Sequence, residues 1–412
     1  MKKIRAATGY KHAAEFPASE ILESVDRRRY SIIKKIGFGG FGLIYTARQV
    51  GSSPAKENVV KVEPIGNGPL FNEFHALQTI ARPNIIQNYL KGKHLEHLAI
   101  PEFIANGIHE YKSKQYRFII IPKYGKNLRT FLEENGSHLN ESTVYCVAKQ
   151  MIDALECIHH HGYVHADLKA GNILFAADSN KIDKVYLIDY GLASKIFIDK
   201  NHKVYKPEKK NAHNGTLLYT SLDAHEGACP SRRGDLQILG FCMYEWLTGS
   251  LPWKKYSENK EQVKHEKEVL LQNLSKIPFE TLRTYFKTIE KLKYDEQPNY
   301  EKLRRIFQDA KYDKMPKPIV NRTGESSAKK RKLTSSVQES RQLMKKNVRH
   351  LSEEGPPQKK KRTCKVQSEE GPPQKQKRIR KVQSKKDPPQ KKKRIRKVQS
   401  KKDPPQKKKT HL

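Results

Sequence analysis

The chain has 412 residues, a formal net charge of +37 and 36% hydrophobic residues. This length suffices for one large two-lobed domain or for two domains. The sequence contains no run of about 18 apolar residues, so it predicts no membrane span. Its five cysteines are odd in number and show no CxxC spacing, which argues against a disulfide scaffold or a zinc ribbon and for a reducing compartment.

The first patterned segments predict a small β-rich lobe. Residues 1–29 are mixed and polar, and we expect them to form an N-terminal extension. Branched and aromatic residues predict strands at Ser31–Ile36, Gly42–Val50 and Asn58–Val62. A glycine-rich turn at Gly37–Gly42 separates the first two strands.

The later segments predict a larger helical lobe. Apolar residues follow helical spacing over Glu141–His160, and Gly162 provides a stop for that helix. Val185–Ile188 predicts a short strand, and Asp235–Leu247 is apolar enough to form a buried helix. Strands followed mainly by helices predict an α+β fold of two lobes, which we place at residues 30–312.

The end of the chain has a different composition. Residues 321–412 hold 32 Lys and Arg against 8 Asp and Glu, a net +24, which leaves +13 for the residues before them. They are poor in aromatic and branched apolar residues, so burial cannot offset chain entropy, and we predict a disordered basic tail over 313–412. From residue 352 a 16-residue unit containing Pro-Pro-Gln and a basic block recurs. Proline pairs oppose helix, so the repeat predicts an extended array that contacts polyanions such as nucleic acid.

The glycine-rich turn fits the pattern GxGxxG, which dinucleotide-binding folds also use. In those folds a helix follows the glycines, whereas here the next residues are apolar and β-prone. A hairpin flap over the phosphates of ATP therefore fits better, with an ordinary glycine-rich hairpin as the alternative. The expected nucleotide contacts from this region are Ile36, Gly37, Phe38, Gly39, Gly40, Phe41, Gly42 and Ile44.

Lys61 is the only charged residue among three valines in its predicted strand. A lysine in a buried strand requires a partner. In the functional interpretation, Lys61 contacts the α- and β-phosphates and pairs with a glutamate; in the alternative, it points outward from a half-exposed strand. Glu73 begins a helix-like apolar run and is the expected partner. Glu63, two residues from Lys61, is the rival by sequence distance.

The segment Phe118–Gly125 predicts a last strand of the small lobe that runs into a hinge. Adenine binding needs a backbone carbonyl and a backbone N–H from such a hinge. Pro122 supplies only a carbonyl, and Tyr124 supplies an N–H. Ile121 is expected to gate the nucleotide pocket.

His165–Asn172, with Asp189-Tyr190-Gly191 downstream, fits the catalytic and metal-binding loops of a protein kinase. In this interpretation Asp167 orients the incoming hydroxyl and Lys169 stabilises charge on the γ-phosphate, while Asn172 and Asp189 hold Mg²⁺. Each aspartate alone is also compatible with a turn-capping role. The order of glycine loop, lysine and both loops along one chain favours the kinase.

Two neighbouring features of this segment qualify the kinase interpretation. Ala166 occupies the position where many kinases have an arginine that binds a phosphate on the activation loop. Activation by loop phosphorylation is therefore less expected here. His159, His160 and His161 are consecutive, and we expect them to form a solvated cluster rather than a metal site, with His165 structural.

The residues after the metal-binding loop narrow the resemblance. The segment Tyr219–His225 stands where most kinases carry Ala-Pro-Glu, and Pro230–Gly240 follows it. Together with Val60–Pro64 and Asn67–Glu73, these segments closely resemble the vaccinia-related kinase family within the casein kinase 1 superfamily. The likeness extends from about Tyr30 to Ala310 and excludes the tail.

That resemblance implies a Ser/Thr protein kinase that uses ATP and Mg²⁺. It implies Ser/Thr protein substrates that are nuclear or chromatin-associated, a nuclear location with a cytoplasmic one also open, and a monomer. It also implies that Asp235 anchors the backbone of the catalytic loop and that Thr216 hydrogen-bonds Asp167.

Two functions stay open from the sequence. In the first, the chain is an active kinase whose tail, with the basic cluster Lys329–Lys332, is a nuclear address and a chromatin tether. In the alternative, the chain is a kinase-fold scaffold that acts mainly by polycationic binding to chromatin or nucleic acid. The intact catalytic residues favour the first.

Overall fold

A computed structural model describes residues 11, 13–38, 42–53, 57–177 and 183–308. All of them fall in the first of two units of the chain, residues 1–323. The predicted tail with its repeat lies outside the described residues. So does the middle of the glycine-rich turn, Gly39, Gly40 and Phe41.

The small lobe is an antiparallel sheet, as predicted. Its strands in the described residues are Ile21–Glu23 (β1), Arg29–Phe38 (β2), Leu43–Gln49 (β3), Asn58–Pro64 (β4), Ala105–Tyr111 (β5) and Lys114–Pro122 (β6). The order across the sheet is β1-β2-β3-β4-β6-β5. The sequence pattern predicted β2, β3, β4 and the end of β6, and missed β1 and β5.

The segment before β2 contributes to the core of this lobe. The Phe16 ring is 5% exposed and contacts the rings of Tyr45, Tyr111 and Tyr116 at centroid distances of 5.0–5.8 Å. The Phe16 backbone N–H also donates to the Tyr45 hydroxyl at 2.9 Å. Part of the predicted N-terminal extension is therefore packed against the sheet.

Two helices, Pro69–Ile80 (α1) and Pro83–Lys93 (α2), follow β4 in the described chain. Each begins with proline at its first position, where the missing N–H costs no hydrogen bond. The buried face of α1 includes Leu70, Leu77 and Ile80. The helix-like run predicted from Glu73 onward is therefore confirmed.

The large lobe is mainly helical, as predicted. Its described helices are Leu128–Glu134 (α3), Glu141–His160 (α4), Leu222–Glu226 (α5), Arg232–Thr248 (α6), Lys260–Gln272 (α7), Glu280–Ile289 (α8) and Tyr300–Gln308 (α9). Its described strands are Tyr163–Val164 (β7), Ile173–Phe175 (β8), Val185–Leu187 (β9), Ser194–Lys195 (β10), Phe197–Ile198 (β11) and Asn201–His202 (β12). Among these residues and those of the small lobe, no helix has the length and apolarity needed to cross a membrane.

Side-chain caps and glycine define the central helices. The Asn140 side chain accepts from Thr143 N at 2.9 Å and starts α4, which has the predicted ends. The Ser231 hydroxyl accepts from Gly234 N at 3.1 Å, so α6 begins three residues before the predicted start. Gly249, at φ +79°, ends α6 in the left-handed conformation. These two buried helices pack against each other beneath the catalytic loop.

Candidate active site

The predicted catalytic loop lies between β7 and β8 and is held from below by α6. Asp235 is 1% exposed, and its two carboxylate oxygens accept the backbone N–H groups of His165 and Ala166, both at 2.8 Å. The expected anchoring of this loop by Asp235 is confirmed. Hydrogen bonds to a buried carboxylate are strong, so the loop backbone is fixed before any ligand binds.

The prediction of a solvated histidine cluster is wrong for His159. Its side chain is buried, with Nε2 at 2.9 Å from the Asp235 carboxylate and Nδ1 at 2.6 Å from the Tyr300 hydroxyl. The inner face of α4 carries it under the catalytic loop. His161 instead bonds the Cys157 carbonyl at 2.8 Å. Across the described residues, no group of three or more His, Cys, Asp or Glu side chains is placed to hold a metal ion.

Asp167 sits in a network with Lys169 and Thr216. The Lys169 ammonium lies 2.5 Å from Asp167 Oδ2 and 2.9 Å from the Thr216 hydroxyl. That hydroxyl donates to Asp167 Oδ1 at 2.5 Å, so the hydrogen bond expected between Thr216 and Asp167 is present. The carboxylate is thereby oriented by one cation and one hydroxyl, and the Asn172 amide also donates to Oδ2 at 3.2 Å. A group that must accept a hydrogen bond from a substrate hydroxyl requires such orientation.

Asn172 and Asp189 come from adjoining loops. Asn172 Nδ2 donates to the Asp167 carbonyl at 2.8 Å, and the Asn172 carbonyl accepts from Ile188 N at 2.8 Å. Within the described chain, no hydrogen bond uses the amide oxygen of Asn172. An amide oxygen and a carboxylate are the hard donors that Mg²⁺ prefers. The two predicted metal ligands therefore fit that ion.

Lys61 joins three elements. Its ammonium lies 2.6 Å from Glu73 Oε2 on α1 and 2.7 Å from Asp189 Oδ1. The structure therefore pairs Lys61 with Glu73, the partner expected from the sequence, and adds Asp189. Burial alone lowers the pKa of Lys61, but the two carboxylates raise it above the ordinary lysine value. Burial opposes ionisation of Asp189, yet the ammonium lowers its pKa to about 2.

Glu63, the rival acid, has another role. It is 1% exposed, and its Oε2 accepts the backbone N–H of Leu70 in the first turn of α1 at 2.5 Å. The N-cap position of that helix, Gly68, has no side chain to do this. A negative charge at a helix N-terminus also interacts favourably with the helix dipole. Glu63 thus ties α1 to β4, the strand that carries Lys61.

The described ends of the glycine-rich turn join β2 to β3, and β3 is the neighbour of the strand that carries Lys61. Ile36 and Phe38 are half-exposed, at 48% and 55%, and Ile44 pairs directly with Lys61 across β3 and β4. A Cβ on Gly42 would lie 2.1 Å from the Val62 carbonyl, so strand packing alone requires glycine there. Around Gly37 a Cβ would meet nothing within 4 Å.

The predicted hinge follows β6. Ile121 and Pro122 are the last residues of that strand, and Pro122 pairs with Asn58 of β4. The Tyr124 ring stacks on Tyr186 with centroids 4.1 Å apart, which fixes this backbone. In the part of the chain that the structure describes, the Tyr124 N–H donates to no backbone carbonyl. A backbone N–H that is to bond adenine must have no such partner.

Ala166 opens onto a cavity of about 760 Å³ beside the catalytic loop. Its walls include α1, the start of α6 and the segment before α5, through residues such as His75, Ser231 and Thr220. An arginine side chain at position 166 would extend from this wall. Ala166 supplies no such cation, and the expectation that activation by loop phosphorylation is less important here remains a prediction.

Comparisons with known proteins agree with this geometry. The protein kinase domain family matches residues 30–303. The "Probable serine/threonine-protein kinase FPV212" of Fowlpox virus is 40% identical over 299 residues, covering 71% of this chain and 96% of that protein. Nucleosomal histone kinase 1 of Drosophila melanogaster is 39% identical over 315 residues, covering 73% of this chain but 51% of its own length. The solved structure of vaccinia related kinase 3 matches with a TM-score of 0.66 at 30% identity, covering 72% and 92% of the two chains.

Proposed function

This chain belongs to the vaccinia-related kinase family of Ser/Thr protein kinases, and from that premise we propose its reaction and its substrates. The reaction is transfer of the γ-phosphate of ATP, with Mg²⁺, to serine and threonine hydroxyls of nuclear proteins, chromatin proteins among them. The observation that carries this proposal is the position of the Lys61 ammonium, within 2.7 Å of carboxylates from both Glu73 and Asp189. The Lys61 ammonium thus joins β4, helix α1 and the predicted metal-binding loop.

The catalytic work in this proposal falls on the large lobe. Asp167 accepts a hydrogen bond from the substrate hydroxyl and thereby directs the hydroxyl oxygen toward the γ-phosphorus of ATP. Lys169, 2.5 Å from Asp167 Oδ2, stabilises the charge that develops on the transferred phosphoryl group. Asn172 and Asp189 would hold Mg²⁺, which when bound neutralises phosphate charge.

Nucleotide binding in this proposal falls on the cleft between the lobes. Lys61 contacts the α- and β-phosphates, and Glu73 keeps its ammonium in place. The expected contacts to the rest of the nucleotide are Ile36–Gly42, Ile44, Ile121 and the hinge backbone of Pro122 and Tyr124. The exposed apolar side chains of Ile36 and Phe38 support a flap above the nucleotide.

The substrates and location are proposed from a relative and from charge. The relative named nucleosomal histone kinase 1 shares 39% identity, which supports chromatin proteins as substrates and the nucleus as the location, with the cytoplasm a second one. The net +24 of residues 321–412 supports contact of the tail with polyanions such as nucleic acid. We expect a monomer.

A phosphate-transfer assay tests the reaction. Wild type and Asp167→Asn are given γ-labelled ATP, Mg²⁺ and reconstituted nucleosomes, with Asp295→Asn, an exposed aspartate of the same lobe, as the matched control. We expect Asp167→Asn to lose about 10²–10⁴-fold in rate, the range for groups that assist proton transfer, and Asp295→Asn to keep the wild-type rate. Equal transfer by wild type and Asp167→Asn would contradict the proposed reaction.

Truncation at Asn321 tests the tail separately. We expect the full chain to bind nucleosomes with an affinity that falls steeply between 50 and roughly 200 mM salt, as phosphate neutralisation requires. The truncated chain should lose most of that salt-dependent binding and retain transfer to a short peptide. Unchanged binding after truncation would remove the tail from the proposal.

A further inference from the structure

Lys267 is a lysine with no exposed surface in the large lobe. It lies on α7 and is 0% exposed, although lysine is among the residues least often buried. Its ammonium contacts the Leu217 carbonyl at 2.9 Å, the Thr220 carbonyl at 2.7 Å and His225 Nε2 at 3.0 Å. No salt bridge joins it to a carboxylate of the described residues. A buried charge without a counter-ion needs another source of stability.

The surroundings of Lys267 match an ammonium group. Its three N–H bonds correspond to the three acceptors, which a neutral amine with two N–H bonds would serve less completely. The rings of Phe241 and Trp253 face the nitrogen at 5.2 and 5.5 Å from their centroids, within the range of cation–π attraction. Burial lowers the pKa of Lys267 well below the ordinary lysine value, whereas three hydrogen-bond acceptors and two ring faces favour the charged form.

A chain of imidazoles continues from Lys267 toward the surface. When His225 Nε2 accepts from Lys267, its Nδ1–H donates to His213 Nδ1, 2.8 Å away. His213 Nε2–H then donates to Glu261 Oε1 at 3.0 Å. Burial and the nearby lysine lower the pKa of His225 to about 2, so it remains an acceptor for Lys267. One set of tautomers thus satisfies every contact in the chain.

Two of the Lys267 contacts act on the segment that adjoins Asp167 and Lys169. Thr216, which bonds both Asp167 and Lys169, directly precedes Leu217. The Trp253 indole N–H donates to the Leu218 carbonyl at 2.8 Å, so carbonyls at 217, 218 and 220 are all held from the same side. The Leu217 and Leu218 side chains are partly buried against the core of the large lobe. Because Thr216 bonds Asp167, a peptide that presents a hydroxyl to Asp167 comes close to this segment.

We infer that Lys267 is a positioning residue for the protein substrate: it fixes the segment Leu217–Thr220, across which the substrate peptide binds. The inference rests on the proposed kinase reaction and adds to it the group that shapes the peptide site. Because the anchor is a lysine of α7, the segment is set without a phosphate on the activation loop. This suits a chain that has Ala166 in place of the arginine that receives such a phosphate.

Steady-state kinetics with a histone-tail peptide test this role. Lys267→Met keeps the length of the side chain and removes its three donors, so we expect the peptide KM to rise about tenfold while the ATP KM stays within about twofold. Trp253→Phe keeps a ring face and removes the donor to Leu218 together with the second ring of the indole, and we expect a smaller rise of about threefold. Lys260→Met, an exposed lysine at the start of the same helix, should match wild type.

Each outcome of these measurements supports or overturns the positioning role of Lys267. An unchanged peptide KM in Lys267→Met, with wild type active, overturns the inference and leaves the kinase reaction intact. A parallel rise of peptide and ATP KM values also overturns it, because that pattern shows general loosening of the domain. If Lys267→Met does not fold, an unchanged peptide KM in Trp253→Phe is decisive against the role. A wild type that binds ATP but phosphorylates neither peptide nor nucleosomes instead refutes the proposed reaction.

Discussion

Replacement of Thr216 by alanine measures how much the orientation of Asp167 contributes to catalysis. The hydroxyl donates to Asp167 Oδ1 at 2.5 Å, and no other hydrogen bond reaches that oxygen among the described residues. A hydrogen bond to a charged group is worth about 1.5–3 kcal/mol, or roughly 10- to 150-fold in rate. Lys169 and Asn172 still hold Oδ2, so we expect the lower end: a fall in kcat of about tenfold.

The assay is phosphate transfer at saturating ATP and saturating peptide, with the ATP KM measured in parallel. Thr216→Ser is the matched control, because it keeps the hydroxyl and removes one methyl group, and it should retain at least about half of the wild-type kcat. The ATP KM should not change in either variant. A kcat of Thr216→Ala within about threefold of wild type would refute the reasoning, and so would a serine variant as slow as the alanine variant.

Three further substitutions follow from the cleft. Glu73→Gln removes one of the two charges beside Lys61, and we expect it to cost about 2 kcal/mol, measured as a roughly 30-fold fall in kcat/KM; a fall below about threefold would show that Asp189 alone suffices. Glu63→Ala removes the carboxylate that caps α1, so urea unfolding should show a free energy of unfolding about 1–2 kcal/mol lower than wild type. Glu63→Gln should be close to wild type, and an equal loss in both variants would assign the effect to charge. The Tyr190 hydroxyl is buried with no partner among the described residues, so Tyr190→Phe should leave the free energy of unfolding unchanged or raise it by up to about 1 kcal/mol; a clear loss would mean that this hydroxyl is bonded.

The parts that the sequence predicted share a short-range cause. Helix α4 follows from apolar spacing and from Asn140 as its cap, all within about 20 residues. The pairing of Lys61 with Glu73 follows from a charged residue in an apolar strand and an acid at the start of the apolar run that predicted the next helix. The nucleotide contacts assigned to the glycine-rich turn and the hinge remain predictions, because they depend on ATP.

The parts that were missed depend on contacts between distant segments. His159 resembles its neighbours His160 and His161 in sequence, and only its place on the inner face of α4, opposite Asp235 and Tyr300, makes it buried. Glu63 resembled a second partner for Lys61, because local spacing does not reveal where the first turn of α1 lies. Strand β1 has three residues, too few to show an alternating pattern.

The double engagement of Lys61 has a consequence for inhibitor design. A compound that requires the Asp189-Tyr190-Gly191 loop to swing away from the cleft must break the 2.7 Å contact between Asp189 and Lys61. It must also expose the Tyr190 ring, which is fully buried and packs edge-on against His165 with centroids 4.8 Å apart. Compounds that leave this loop in place avoid both losses. Ligands are therefore best sought among those that bind while the contact between Asp189 and Lys61 stays intact.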